Sequence, residues 1–222
     1  MIQLAERKEA AGPGLGQEAV KRALDIALAS VLIVIMAPLL LLLWCLVRWT
    51  SAGPAFFRQE RLGRDMKPFT MLKLRSMYAG NDDRMHRAYV TGMLAAEHKA
   101  PARDGALFKL ADDPRVTPLG AWLRRTSLDE LPQLINVLRG DMSLVGPRPM
   151  LPWEAKVLAE PYRPRFTVKP GMTGLWQVSG RSRLSMRTAL ELDVEYARRR
   201  SVVLDLTILA RTVPALFRGG SS

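Results

Sequence analysis

The sequence predicts a mainly helical α+β protein attached to a membrane by one N-terminal apolar helix. Three observations carry that expectation. Ile26 to Val47 runs without a charged residue, about the length a helix needs to cross a bilayer core. Between Pro54 and Met77, apolar and basic residues partly alternate around a turn at Gly63-Arg64-Asp65, which is a β-hairpin pattern. Leu131, Leu134, Ile135 and Leu138 recur at helical spacing, and Gly140 follows as a stop.

The chain has 222 residues, enough for one domain with a core plus an appendage. Its formal charge of +12 points to a polyanionic partner: nucleic acid, an anionic membrane surface or phosphorylated substrates. Cys45 is the single cysteine, which excludes an intrachain disulfide and a zinc site built on cysteine pairs. With two histidines, any metal is expected to be a hard ion held by carboxylates and phosphate, most simply Mg²⁺.

The apolar segment is expected to stay on the protein. A signal peptide needs a charged start, a shorter apolar core and small residues for cleavage. Here a polar leader over residues 1–20 precedes it, and bulky Leu42, Leu43 and Trp44 close it. Pro38 lies near its centre, where it kinks or breaks a helix. Lys21 and Arg22 precede the segment and Arg48 follows it. Charge at both ends suits a helix–break–helix that returns to the cytoplasm. A kinked single-pass anchor satisfies the pattern as well, so residues 21–50 are assigned to the membrane with both arrangements open.

Residues 51–222 form the expected main domain. After the hairpin, the polar segment 80–110 is helix-prone, then turn-like at "PARDG". A short helix is expected around Gly120 to Arg125. "SLVGPRPML" and "VKPGMTGLWQVSGRSR" are dense in Gly and Pro and read as loops or short strands. The tail "SVVLDLTILARTVPALF" has an apolar face beside Arg198, Arg199 and Arg200, suited to a membrane surface.

The chemistry centres on "SLDELPQ". Ser127 to Glu130 matches the S-x-x-E capping box, and acids suit a first helical turn. With Ser127 as N-cap, however, Pro132 would fall inside the helix, where its missing N–H costs a bond. The motif alone still favours the cap; the alternative is a helix that starts later, with Asp129 and Glu130 in an exposed entry turn. Arg124 and Arg125 lie just upstream, Arg148 sits in "GPRP" and Arg181 in "SGRSR". Arginine suits phosphate through its planar bidentate fork. A carboxylate among such cations stays ionised and available as a nucleophile or metal ligand.

Taken in order, the motifs "KRALD", a proline within the apolar run, "FFRQERLGR", "FTMLKLRSM", "DPRVTPLGAWLRRTSLDELPQLINVLRGDMSLVGPRP", "VKPGMTGLWQVSGR" and "ELDVEYARRRSVVLDLTILARTVPAL" resemble the bacterial sugar transferases. These are monotopic phosphoglycosyl transferases that act on polyprenyl phosphate. The likeness covers roughly residues 20–217 and looks most like the small exopolysaccharide-priming members. It implies transfer of a sugar 1-phosphate from a UDP-sugar, a hexose such as galactose or glucose, to undecaprenyl phosphate with release of UMP. Asp129 would match the nucleophile that carries the phosphosugar covalently, and Glu130 the Mg²⁺ ligand. Arg124, Arg148 and Arg181 would match phosphate-contacting or structural arginines. Asp193 in "ELD" would match a further functional acid, or an ordinary salt-bridge partner on a helix.

The same likeness implies a cytoplasmic domain on the bacterial inner membrane, among its lipids, and a proline-broken re-entrant helix. This chain departs at Ala37-Pro38, where the family often has serine before the proline. A homodimer is a possible partner, and for segment 80–110 three readings stay open: it shapes the acceptor site, it helps oligomerise, or it does neither. Nucleic acid is not expected: aromatic and basic residues are not interleaved, and no helix-turn-helix or zinc spacing occurs. Two other functions fit the same residues, a membrane-anchored metal-dependent phosphohydrolase and a non-catalytic basic binding module. Direct transfer without a covalent intermediate is the alternative mechanism.

Overall fold

The computed structural model describes residues 15–78, 80, 84–95, 113–180 and 184–218. Helix α1 spans Leu15–Thr50, so it begins inside the stretch expected to be a leader. Its 36 residues make it about 54 Å long at 1.5 Å per residue. It is long and apolar enough to cross a membrane. Val31, Leu32, Val34, Ile35, Leu41 and Leu42 are all exposed along it, as expected of a surface that faces lipid.

Pro38 lies within α1, and the helix is not interrupted there. The expected helix–break–helix is therefore a single helical element. Proline removes one backbone donor and crowds one preceding turn, while the turns on either side keep their own bonds.

Both ends of α1 pack on the same body. At the N-terminal end, Lys21 Nζ donates to Asp205 Oδ2 at 2.6 Å, and Arg22 donates to the Val137 and Leu138 carbonyls at 2.6 and 2.8 Å. Asp25 Oδ1 accepts from Ser143 Oγ and the Leu144 N–H, each at 3.1 Å. At the C-terminal end, Leu43 and Val47 are buried with Ala55, Leu74 and Leu123. Arg75 Nη2 donates to the Ser51 carbonyl at 2.7 Å.

The expected hairpin forms from β1, Phe56–Leu62, and β2, Pro68–Leu74, paired antiparallel from Phe56 with Leu74 to Leu62 with Pro68. Its turn closes through Gly63 N–H to the Lys67 carbonyl at 2.8 Å. Asp65 takes a left-handed backbone there, φ 55°, as short polar residues do in turns. Helix α2, Arg84–Ala95, supplies the helix expected in segment 80–110, and Val90 and Met93 join the core around Met150, Trp176 and Leu190. The expected turn at "PARDG" lies outside the described residues.

Helix α3, Pro118–Thr126, follows an N-cap in which Thr117 Oγ1 accepts from the Gly120 N–H at 2.9 Å. Helix α4 spans Gln133–Arg139 and ends at Gly140, whose φ of 91° is one glycine adopts without the Cβ penalty. Asn136 is fully buried. Its Oδ1 accepts from the Leu72 N–H at 3.0 Å, and its Nδ2 donates to the Thr70 carbonyl at 2.7 Å. That side chain fixes α4 to the hairpin.

The two Gly/Pro-rich motifs meet. Strand β3, Ser143–Val145, pairs parallel with β4, Gly171–Thr173. Gly146 and Gly171 let the backbones touch: a Cβ on Gly171 would lie 2.0 Å from the Gly146 nitrogen. Short helix α5, Pro152–Lys156, and a 3-10 segment, Glu160–Thr167, follow β3. Helix α6, Leu175–Ser179, then leads towards α7, Met186–Arg199, and α8, Val202–Arg218. Ile208 of α8 is buried, whereas Val203, Leu206 and Val213 are exposed, so the tail helix packs by one side and leaves apolar residues on the other.

Candidate active site

The carboxylate pair sits in a turn between α3 and α4. Ser127 ends α3 in the left-handed region, φ 58°, at a cost of about 1–2 kcal/mol for a residue with a Cβ. A 3-10 turn, Leu128–Glu130, comes next. Leu128 packs with Leu43, Leu74 and Leu123, which anchors the turn beside the C-terminal end of α1.

The expected capping box is not made. An N-cap is normally extended, whereas Ser127 is left-handed and its side chain caps nothing in this turn. Glu130 reaches sideways instead, and its Oε1 accepts from Lys73 Nζ of β2 at 2.8 Å. The alternative, a later start, is what forms: α4 begins after Pro132, which serves as its N-cap. There the missing proline N–H leaves no helical bond unmade. The acids do occupy a turn before the helix, but Asp129 is only 6% exposed rather than open to solvent.

Arg124 of α3 lies within electrostatic range of Asp129 and Asp113. Burial lowers its pKa, and the two acids oppose that shift. Asp113 is gripped by Arg115, with contacts of 2.7 and 2.8 Å. The Arg115 guanidinium holds its carboxyl below the usual range against the effect of burial.

A second basic group comes from β1 and the β3 loop. Arg61 is buried. Its guanidinium donates to Gln59 Oε1 at 2.7 Å and to the Pro149 carbonyl at 3.0 Å. Burial, then neighbouring Arg148, lowers its pKa to about 9 while Glu154 and Glu130 oppose the shift. It therefore remains cationic at neutral pH, within electrostatic range of Glu130 and Arg148. Arg148 Nη1 lies 3.4 Å from Glu154 Oε2. Glu154 has no exposed surface, and the same oxygen accepts from the Leu151 N–H at 2.7 Å and lies 3.8 Å from Arg61.

Asp193 is 3% exposed on α7 and pairs with Arg165 at 2.5 Å. Burial pushes its carboxyl up, and Arg165 and Arg148 oppose the shift. The second Nη2 contact of Arg165 is to the Arg148 carbonyl at 2.8 Å. Asp193 thus reaches the Arg148 loop through Arg165.

The structure therefore gathers Asp129, Glu130 and Arg124 at one turn and links Glu130 through Arg61 to the Arg148 loop. Arg181 lies outside the described residues. Lys73, Arg61, Glu154 and Arg165 were not singled out from the sequence. Lys73 and Arg61 lie in a strand pattern where a basic residue ordinarily marks the solvent face. Glu154 and Arg165 sit in stretches with no motif, and only their burial exposes their role.

No group of three or more His, Cys, Asp or Glu placed to hold a metal occurs among the described residues. Mg²⁺ is commonly bound through one or two carboxylates plus substrate phosphates, without an all-protein cage. Glu130 is an oxygen donor of that type, with one oxygen accepting from Lys73 Nζ at 2.8 Å.

Comparison with known proteins gives a consistent result. The family model described as "Bacterial sugar transferase" matches residues 16–219. The chain is 38% identical over 196 residues to the exopolysaccharide production protein ExoY of Sinorhizobium fredii, covering 88% of this chain and 84% of that one. It is 41% identical over 206 residues to a UDP-glucose:undecaprenyl-phosphate glucose-1-phosphate transferase of Caulobacter vibrioides, covering 88% and 69%. It is 40% identical over 198 residues to an undecaprenyl-phosphate galactose phosphotransferase of Salmonella typhimurium, covering 89% and 40%.

Proposed function

The chain belongs to the bacterial sugar transferase family, and from that premise we propose that it transfers a sugar 1-phosphate from a UDP-hexose to undecaprenyl phosphate, releasing UMP. The observation that carries this reading is Asp129, a buried carboxylate in the turn that also holds Glu130, within electrostatic range of Arg124. The names of the Caulobacter and Salmonella relatives support the substrate classes. The ExoY relative supports a role in exopolysaccharide synthesis.

In the first step an Asp129 carboxylate oxygen attacks the β-phosphorus of the UDP-sugar. The bond from that phosphorus to the bridging oxygen breaks, and UMP leaves with the oxygen. The sugar phosphate is then an acyl phosphate on Asp129. In the second step an oxygen of undecaprenyl phosphate attacks the same phosphorus, the bond to Asp129 breaks and the free carboxylate returns. Dividing the reaction keeps two polyanions from having to meet in one complex.

Arg124 and the Arg148 loop offset phosphate charge, and Arg61, Glu154 and Arg165 hold that loop in place. Lys73 orients Glu130. Mg²⁺ held at Glu130 would neutralise diphosphate charge and ease departure of UMP.

The membrane arrangement follows the same reading. Both ends of α1 bind one body through Lys21, Arg22 and Asp25 at one end and Leu43, Val47 and Ser51 at the other. That supports a helix seated in the cytoplasmic leaflet of the inner membrane with both ends on the cytoplasmic side, although the helix is continuous through Pro38. Cysteines placed at residue 5 and residue 60 in a Cys45→Ser background should both label from the cytoplasm; labelling from opposite faces refutes the re-entrant arrangement.

The catalytic test uses a UDP-hexose labelled in its β-phosphate and sugar. Label should appear on the protein, be chased off by undecaprenyl phosphate and be lost in Asp129→Asn. Transfer without any adduct would mean direct attack, and turnover indifferent to the lipid phosphate would mean a phosphohydrolase.

A further inference from the structure

A cleft of about 340 Å³ opens at the start of α1, away from the carboxylates. It adjoins Gly140, the C-terminal end of α4, whereas Asp129 precedes the opposite end of that helix. Its walls include Lys21, Arg22, Arg64, Lys169 and Arg200, with Glu18 and Asp25 as the acids. Arg22 Nη2 and Lys169 Nζ converge: a Cβ on Gly140 would meet them at 3.4 and 3.5 Å.

The charges in this cleft do not balance. Lys21 is paired with Asp205 at 2.6 Å. Glu18 serves two arginines, Arg64 at 3.3 Å and Arg200 by a short contact. Arg22 donates to neutral carbonyls. Among the described residues neither Arg22 nor Lys169 has an ion pair. Burial, then Arg22, depresses the Lys169 ammonium, with Asp25 opposing. A half-buried ammonium beside guanidinium groups is a place where an added anion lowers the energy.

The setting decides which anion. Ala19, Val168 and Val202 also line the cleft, and Val20 and Val203, their neighbours in sequence, are exposed. The uncharged run of α1 begins at Ile26, about one turn beyond Arg22. The cations therefore lie at the headgroup end of an apolar helix, where lysine and arginine meet lipid phosphate.

We propose that the cleft between the first turns of α1, Lys169 and Arg200 is a binding site for the phosphodiester headgroup of an anionic membrane phospholipid. The cleft lies in the range of volumes that hold small ligands, about 300–1,000 Å³. The phosphodiester sits between Arg22 and Lys169, and the acyl chains run along α1 and α8 past Val20 and Val203. The lipid then fastens the start of α1 to the body of the protein at the membrane surface. This site is independent of the reaction assigned to Asp129.

The test uses the full chain in a neutral detergent, with thermal unfolding followed against added dihexanoyl phosphatidylglycerol, dihexanoyl phosphatidylcholine, glycerol 3-phosphate or inorganic phosphate. Phosphatidylglycerol should raise the unfolding temperature saturably, and phosphatidylcholine should not. Lys169→Gln should weaken the apparent affinity at least tenfold and Lys169→Arg should restore it. Arg200→Gln provides a second disabled cleft. Arg58→Gln, an exposed cation elsewhere, should leave it unchanged. Equal weakening by Arg58→Gln, an equal response to phosphatidylcholine, or no response to any probe overturns the proposal. A response to inorganic phosphate or glycerol 3-phosphate at the same concentrations as phosphatidylglycerol also overturns it, because the site would then read free phosphate.

Discussion

Replacing Glu154 with glutamine tests whether one buried carboxylate holds the arginine loop together. Glu154 has no exposed surface and faces Arg148 at 3.4 Å and Arg61 at 3.8 Å. An amide oxygen can still accept from the Leu151 N–H, so the α5 cap survives and only the charge is lost. Removing one partner of a buried pair costs about 3–5 kcal/mol. Arg148 keeps 20% of its side-chain surface, so the lower figure, about 3 kcal/mol, applies. For a domain of this size that is a fall in Tm of about 6–12 °C.

The pH dependence adds a second signature. Burial alone would raise the Glu154 carboxyl, but Arg148, Arg61 and the Leu151 N–H together hold it below 4.5. A depressed folded pKa gives stability that is fully present above the unfolded value and lost as pH falls through the folded one. The gap between wild type and Glu154→Gln should therefore be full at pH 7. It should close below 4.5 as the native carboxyl becomes neutral. Thermal melts in detergent from pH 7 to 3 measure it. A Tm within about 1 °C of wild type at pH 7, or a gap that does not close in acid, refutes the placement of Glu154 as the anion of this cluster.

Three further outcomes follow from the same geometry. Asn136→Ala should cost about 2–3 kcal/mol in denaturant titration, because it leaves the Leu72 N–H and Thr70 carbonyl without their partner. Ser127→Gly should hold or raise stability by up to about 1 kcal/mol, and Ser127→Val should lower it, since only glycine takes φ 58° freely; calorimetry of the pair gives the sign. Lys73→Met should change stability by less than about 1 kcal/mol, the pair with Glu130 being partly exposed. Its effect should fall on turnover instead, seen as a lower rate of UMP release and a shifted Mg²⁺ dependence.

Much of this protein was legible in its sequence because the signals are local. An uncharged run longer than twenty residues, an alternating pair of segments around Gly63-Arg64-Asp65, and Leu131, Leu134, Ile135 and Leu138 at helical spacing each state their own conformation. Pro132 raised a later start of α4 as the alternative to the cap, since the cost of a missing N–H is fixed by position in the helix, but it did not outweigh the capping motif until the structure placed the start at Gln133. Ser127 misled for the opposite reason. Its capping pattern is a local preference, and the junction of α3 with the 3-10 turn overrode it by placing the residue at φ 58°.

What only the tertiary structure decided is which charges meet. Lys73 and Glu130 are far apart in sequence, as are Arg22 and Lys169, or Arg165 and the Arg148 loop. No periodicity encodes such pairs. Nor does composition distinguish the fully buried Glu154 from an exposed glutamate. Electrostatic effects depend on distance and burial together, and both are set by how β1, β3, α4 and α7 pack. The sequence by itself determined that an apolar helix is joined to a basic α+β domain with an acid pair near its middle. Packing decided that Asp129 is buried, that Glu130 answers to Lys73, and that both ends of the apolar helix pack on the same body.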